Sequence, residues 1–169
     1  MSASPFPALL WRLAVLLLML VLSMGCVEDE VCEEVTANPL RMGFYLLQDG
    51  QEESQAVIDS LSLYGVGRQD SMIYDNRRGV SRVEVPLDPT ADACAFVLVF
   101  PGGVTDTLFV HYDRVIHMVS VECGFVMHYM LQELSFGQSV IQQVVVHDDQ
   151  VIQNPDEHLK IYIPPADPD

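Results

Sequence analysis

From Pro39 onward the chain alternates apolar and polar residues with a period of two. Leu40, Met42, Phe44 and Leu46 alternate with Arg41, Gly43 and Tyr45. Val83, Val85 and Leu87 alternate with Arg82, Glu84 and Pro86, and Leu159, Ile161 and Ile163 with His158, Lys160 and Tyr162. Successive side chains of a strand point to opposite faces, so this pattern predicts strands with one buried face. Turn-forming groups separate the runs: Asp49-Gly50, Gly65-Val66-Gly67, Asn76 to Gly79, Asp88-Pro89, Pro101-Gly102-Gly103 and Asp148-Asp149. Their spacing, roughly 10–15 residues, suits an antiparallel sandwich better than alternating strands and helices.

The predicted strands are 40–47, 57–64, 71–75, 80–87, 94–100, 105–112, 115–122, 125–134 with 139–147, and part of 151–163. The expected fold is therefore all-β: a single antiparallel β-sandwich, immunoglobulin-like or related, of about 8–9 strands over residues 39–163. Ala95–Phe100 and Val144–Val146 are apolar on both faces and are expected at the centre of a sheet. Gln51–Ile58 could hold one helical turn. The proline-rich tail 164–169 cannot pair in a ladder and is expected to fray.

The N-terminal residues break the pattern. Leu13 to Leu22 is an unbroken apolar run behind a lone Arg12, and it ends at Ser23-Met24-Gly25-Cys26. That is the layout of a secretory signal, and a cysteine directly after the small residue points to lipidation of Cys26. The run falls well short of the ~20 residues a spanning helix needs. A signal cleaved without lipidation is the rival, because Ser23 stands where lipid-attachment sequences usually carry Leu. The expected division is signal peptide 1–25, acidic tether 26–38, sandwich 39–163 and tail 164–169. Such a protein would be held in the outer membrane through acylated Cys26, at the periplasmic face or the cell surface. Val27-Glu28-Asp29-Glu30 behind the cysteine resembles a surface-export signal of Bacteroidetes-type bacteria.

Charge narrows the partners. Beyond residue 25 the chain has seven basic residues against 24 acidic ones, a formal −17. A surface of that sign repels phosphate backbones, so nucleic acid is excluded. It also disfavours adhesion to anionic lipid, which leaves contact with the bilayer to the acyl chains. Outside the cytoplasm thiols tend to pair, and Cys32, Cys94 and Cys123 follow the anchor. Cys94 sits in an apolar strand and is expected free, which leaves Cys32–Cys123 as the expected disulfide. Closing that loop of about 90 residues would stabilise by ~4 kcal/mol on the chain-entropy account.

No constellation of catalytic groups assembles in the sequence. His111, His117 and His128 fall within one stretch, but if Asp113-Arg114 makes a tight hairpin turn, His111 and His117 point to opposite faces and cannot share an ion. Asp148-Asp149 and Asp156-Glu157 are the densest carboxylates, but turn residues of this type ordinarily keep a surface soluble. Ser120 lies near His117, Glu122 and Cys123, yet alternation divides odd and even positions between faces. No metal site, cofactor or catalytic residue is expected. The only tryptophan, Trp11, lies in the leader, and the six tyrosines are scattered, which weakens a sugar-binding platform.

Several segments carry a resemblance: Asn38 to Arg41, Ser60 to Gly65, Asp70-Ser71, Pro86 to Asp88, Tyr112, Val119 to Phe125 and Glu157 to Tyr162. In that order they resemble an uncharacterised family of short lipid-anchored envelope lipoproteins from Bacteroidetes-type bacteria. Cys94 and Asn38 depart from its pattern. The resemblance implies a single anchored domain with a cysteine at Cys32, no assigned activity, and a partner such as an outer-membrane β-barrel. Glu157-His158 opens the last strand, where an acid–imidazole pair would set its register. The expected function is thus a non-enzymatic binding or accessory module contacting another envelope protein. A surface glycan or nutrient binder is the alternative, and a hydrolase a weaker one.

Overall fold

The alternating segments become strands in a computed structural model that describes residues 38–46, 53–121 and 123–165. The chain divides into two compact units, Met1–Glu33 and Glu34–Asp169, and the second is the one described. The leader, Cys26, the acidic tether through residue 37, Cys32, Glu122 and the tail from residue 166 lie outside the described residues.

Eleven strands occur among the described residues. They are β1 Leu40–Leu46, β2 Ser54–Gln55, β3 Ile58–Gly65, β4 Met72–Val80, β5 Arg82–Val85 and β6 Ala93–Val99. After a single 3-10 turn at Pro101–Gly103 come β7 Thr105–Ser120, β8 Gly124–Phe136, β9 Gln143–Val146, β10 Gln150–Val151 and β11 Leu159–Ile163. They form two sheets. The first runs β2-β1-β11-β9, with β5 also paired to β1; the second runs β10-β8-β7-β6-β3-β4. The expected all-β sandwich is what forms.

The core is the meeting of the inner faces that the alternation singled out. Leu40, Met42 and Phe44 from β1 and Leu159 and Ile161 from β11 are fully buried. Leu61, Leu63, Leu98, Leu108 and Val110 come to meet them from the second sheet. Burying such a side chain stabilises by roughly 1.5–3 kcal/mol, so this double layer dominates the fold.

Several local expectations are corrected. The sheets are not purely antiparallel: β1 and β11 pair in parallel, with Met42 opposite Leu159 and Phe44 opposite Ile161. Almost the whole domain serves as the long crossover that parallel neighbours require. Val144–Val146 lies in β9 at an edge of its sheet, not its centre, and Val146 is exposed. The described part of Gln51–Ile58 forms the short β2 instead of a helical turn. Asn76 to Gly79 is no turn but an irregular part of β4, where Asn76 and Gly79 take positive φ and the pairing with β3 shifts register. Most consequential, no hairpin turn occurs at Asp113-Arg114. β7 runs straight through them for 16 residues to Ser120, and β8 returns from Gly124.

A projecting hairpin as candidate functional site

β7 and β8 are long enough to leave the sandwich behind. β7 pairs with β6 only as far as His111, opposite Ala93. From Asp113 to Ser120 its only strand partner among the described residues is β8. β8 in turn meets β10 only at Tyr129 and Met130. The result is a two-stranded arm beyond the Arg114–Tyr129 pair; its β7 edge faces no described strand, and its β8 edge is met by Asn38 at Met127.

Its side chains are apolar on both faces. Ile116 opposite Met127 and Met118 opposite Phe125 continue the face that carries buried Tyr112 inside the sandwich. Val115 opposite His128 and His117 opposite Val126 form the other face. Ile116 is 68% exposed, Phe125 69% and Val121 at the turn 82%. From Val115 to Tyr129, Glu122 is the only carboxylate and no Lys or Arg occurs, in a chain with 24 acidic residues. Proteins ordinarily blunt open edges with charge or proline, and the β7 edge from Val115 to Ser120 carries neither.

The base of the arm is anchored firmly. Arg114 Nε meets Asp92 Oδ1 at 2.8 Å and its Nη1 donates to the Pro89 carbonyl at 3.0 Å. Tyr112 and Tyr129 pack edge to face at 5.2 Å. Asn38 Nδ2 donates to the Met127 carbonyl at 2.8 Å, which fixes the chain's entry beside β8. At the turn, the Cys123 N–H donates to Ser120 Oγ at 3.0 Å, and Gly124 supplies the positive φ of 77° that other residues rarely adopt.

The straight course of β7 changes the histidine geometry. His117 and His128 stack across the two strands, with ring centroids 4.6 Å apart. Burial and the neighbouring His117 both hold the His128 pKa below its ordinary value. Among the described residues no group of three or more His, Cys, Asp or Glu side chains converges as metal ligands would. Ser120 is occupied as an acceptor for the turn. Asp148 accepts from the Gln150 N–H and from Asn154, so it shapes a turn.

Glu157 and His158 do not bond to each other; each fixes β11 separately. The Arg41 N–H donates to His158 Nδ1 at 2.9 Å, and the His158 N–H returns a bond to the Arg41 carbonyl at 2.9 Å. Burial keeps the His158 pKa low, so the ring stays neutral. Glu157 crosses to the outer face, where Tyr45 Oη donates to it at 2.8 Å and Arg82 Nε stands 3.3 Å away. It lies directly over Gly43, where any Cβ would collide with its carboxylate. The same face brings Tyr45 and Tyr162 together, centroids 6.0 Å apart, although they are far apart in sequence. Both hydroxyls are already spent, on Glu157 and on Glu53.

Cys94 is the free thiol among the described residues, as expected, and Cys123 is not one. Cys94 borders an open groove of about 640 Å³ between β3, β6 and the Pro86–Asp88 segment. Its sulfur lies 3.0 Å from Tyr112 Oη and accepts from the Asp88 N–H at 3.3 Å. Asp88 is itself turned toward Thr90. Ser71 and Arg68 also line the groove, and no hydrogen bond joins either to the thiol.

A two-sheet β-sandwich with a projecting apolar hairpin is therefore the class of protein in hand. Comparison with known sequences adds a family: a family of unknown function, DUF6452, matches residues 60–163. That is more than half of the chain, and the chain belongs to this family. No curated protein and no solved structure matches it.

Proposed function

We propose that the protein is a lipid-anchored, non-enzymatic accessory module of the outer envelope, acylated on Cys26, that docks another envelope protein through the β7–β8 arm. The observation that carries this reading is the arm: an apolar hairpin with an open β7 edge and a single carboxylate between Val115 and Tyr129, on a strongly anionic body. The apolar run ending at Gly25-Cys26 supports the anchor, and the resemblance to Bacteroidetes-type lipoproteins supports its setting. A membrane β-barrel presents strands and apolar surfaces of the kind this arm would meet.

The Cys32–Cys123 bridge belongs to the same reading. Asn38 lies beside Met127, and Cys123 is four residues back along β8. Six residues of extended chain reach ~20 Å, enough to bring Cys32 to the turn. Such a bridge would tie the arm to the anchored segment and fix how it is presented.

The test is site-specific photo-crosslinking in cells from position 125, with a radiolabelled fatty acid supplied in parallel. A discrete adduct with one other envelope protein is expected, together with label on the wild type and none on Cys26→Ser. Recovery of uncrosslinked monomer alone refutes the docking role.

A further inference from the structure

We infer that the open edge of β7 between Arg114 and Met118 receives a β-strand from the partner, and that this strand is apolar with basic residues at the end facing Asp92 and Asp113. The inference rests on the docking role proposed above and names how the arm engages and what it selects.

The direction of the backbone comes first. The Tyr112 N–H donates outward to the Asp92 carbonyl at 3.0 Å, on the β6 side of β7. Backbone groups of a strand alternate sides, so those of Arg114, Ile116 and Met118 face the same way. Past His111 no described strand lies there to receive them. An incoming strand would extend the sheet and satisfy these groups, the usual mode of recognition at an open edge.

The side chains beside this edge define the chemistry. A shallow groove of about 530 Å³ wraps it, lined by Asp92, Asp113, Arg114, Ile116 and Met127. Ile116 and Met127 give it an apolar floor. At its base the Asp92 carboxylate is 75% exposed beyond its contact with Arg114, and Asp113, exposed on the opposite face of β7, accepts from Gln132. With Arg114 bonded to Asp92, a carboxylate flanks this edge on each face and leaves its base anionic, so the complementary strand ends in Lys or Arg.

The same features argue against the other occupants. A second copy would bring another formal −17 against the first. Immersion of the arm in hydrocarbon would leave the unpaired edge groups unsatisfied, at several kcal/mol each.

Binding of a labelled ten-residue peptide, alternating valine and threonine with two lysines at each end, to the full chain in mild detergent tests this by fluorescence anisotropy. Saturable binding is expected, with slowed amide exchange at Ile116 and Met118. Ile116→Pro removes an outward N–H without touching the β7–β8 ladder and should weaken binding at least about tenfold. A peptide with glutamates in place of lysines should bind at least about tenfold more weakly, with the gap closing at high salt. A peptide N-methylated at alternate residues should not bind, which tests the mode even if Ile116→Pro unfolds. No binding by the wild type, or equal binding by the N-methylated peptide, overturns the proposal. So does a dimer in sedimentation that Ile116→Pro abolishes, or flotation with phosphatidylcholine vesicles that Ile116→Asp abolishes. An in-cell adduct from position 125 that survives Ile116→Pro sinks edge addition alone; absence of any adduct sinks the docking role itself.

Discussion

Asp106 offers the sharpest test of how the domain holds together. It is 2% exposed and accepts three backbone bonds: from Ser139 to Oδ1 at 2.8 Å, and from Val140 and Ile141 to Oδ2 at 2.7 Å each. These bonds pin the 137–141 loop to β7 and seat fully buried Ile141 in the core. Asp106→Ala removes all three acceptors. Ser139 is exposed and can turn to water, but the N–H of buried Ile141 cannot. A lost bond to a charged group costs about 1.5–3 kcal/mol, and a stranded buried donor adds to that. The expected loss is about 3–5 kcal/mol, a large part of the ~5–15 kcal/mol that holds a domain folded. Urea unfolding should show a lower midpoint with an unchanged slope. The carboxyl also has a pH signature. Burial alone would raise its pKa, but the three N–H donors outweigh it and hold the value below 3.8. A depressed folded-state pKa means the contribution is complete above the unfolded-state value and lost as pH falls through the folded one. The wild type should therefore weaken below about pH 4, and the difference between wild type and Asp106→Ala should shrink there. A loss under about 1 kcal/mol at pH 7 would refute the assignment.

Other outcomes follow from the same geometry. Gly43→Ala should cost about 2–4 kcal/mol by displacing Glu157 from Tyr45 and Arg82, and adding Glu157→Ala should recover part of the loss in thermal unfolding. Tyr112→Phe removes the hydroxyl that meets both the Asp88 N–H and the Asp88 carbonyl at 3.1 Å and leaves that N–H to the weaker Cys94 sulfur; a cost of about 0.5–1.5 kcal/mol and faster labelling of Cys94 by a thiol reagent are expected. His158 is buried and neutral, so its contribution is present above pH 6.5 and declines as pH falls below it; His158→Gln should remove that part of the pH–stability curve. Non-reducing peptide mapping should join Cys32 to Cys123 and find Cys94 alkylated; a bridge containing Cys94 would contradict both assignments.

The fold was legible wherever one face of a strand is buried and the other wet. Leu40 to Leu46 and Leu159 to Ile163 alternate cleanly because each lies on the core with its odd or even set. Their parallel pairing was not legible. It depends on His158 and Arg41 exchanging bonds across the two ends of the domain, which no local pattern encodes. Glu157-His158 read as a pair because the two are adjacent, yet neighbours on a strand point apart.

The arm was hidden for a different reason. Asp113-Arg114 has the polarity of a turn, and the apolar segments on either side have the composition of core strands. In the structure Asp113 bonds Gln132 and Arg114 bonds Asp92, so their polarity marks the place where the strand leaves the sandwich. The true turn was signalled by Gly124, whose positive φ closes the hairpin. Once the strand runs on to Ser120, Ile116, Met118 and Phe125 no longer have a core to enter. Their hydrophobicity then contributes little to folding stability and is left for the docking role proposed above. A charge placed there should accordingly spare the fold: Phe125→Asp is expected to leave the melting temperature within a few degrees of wild type while abolishing the in-cell adduct from a crosslinker at position 118. If Phe125→Asp instead unfolds the domain, the arm is part of the core and the docking role has no surface left to act through.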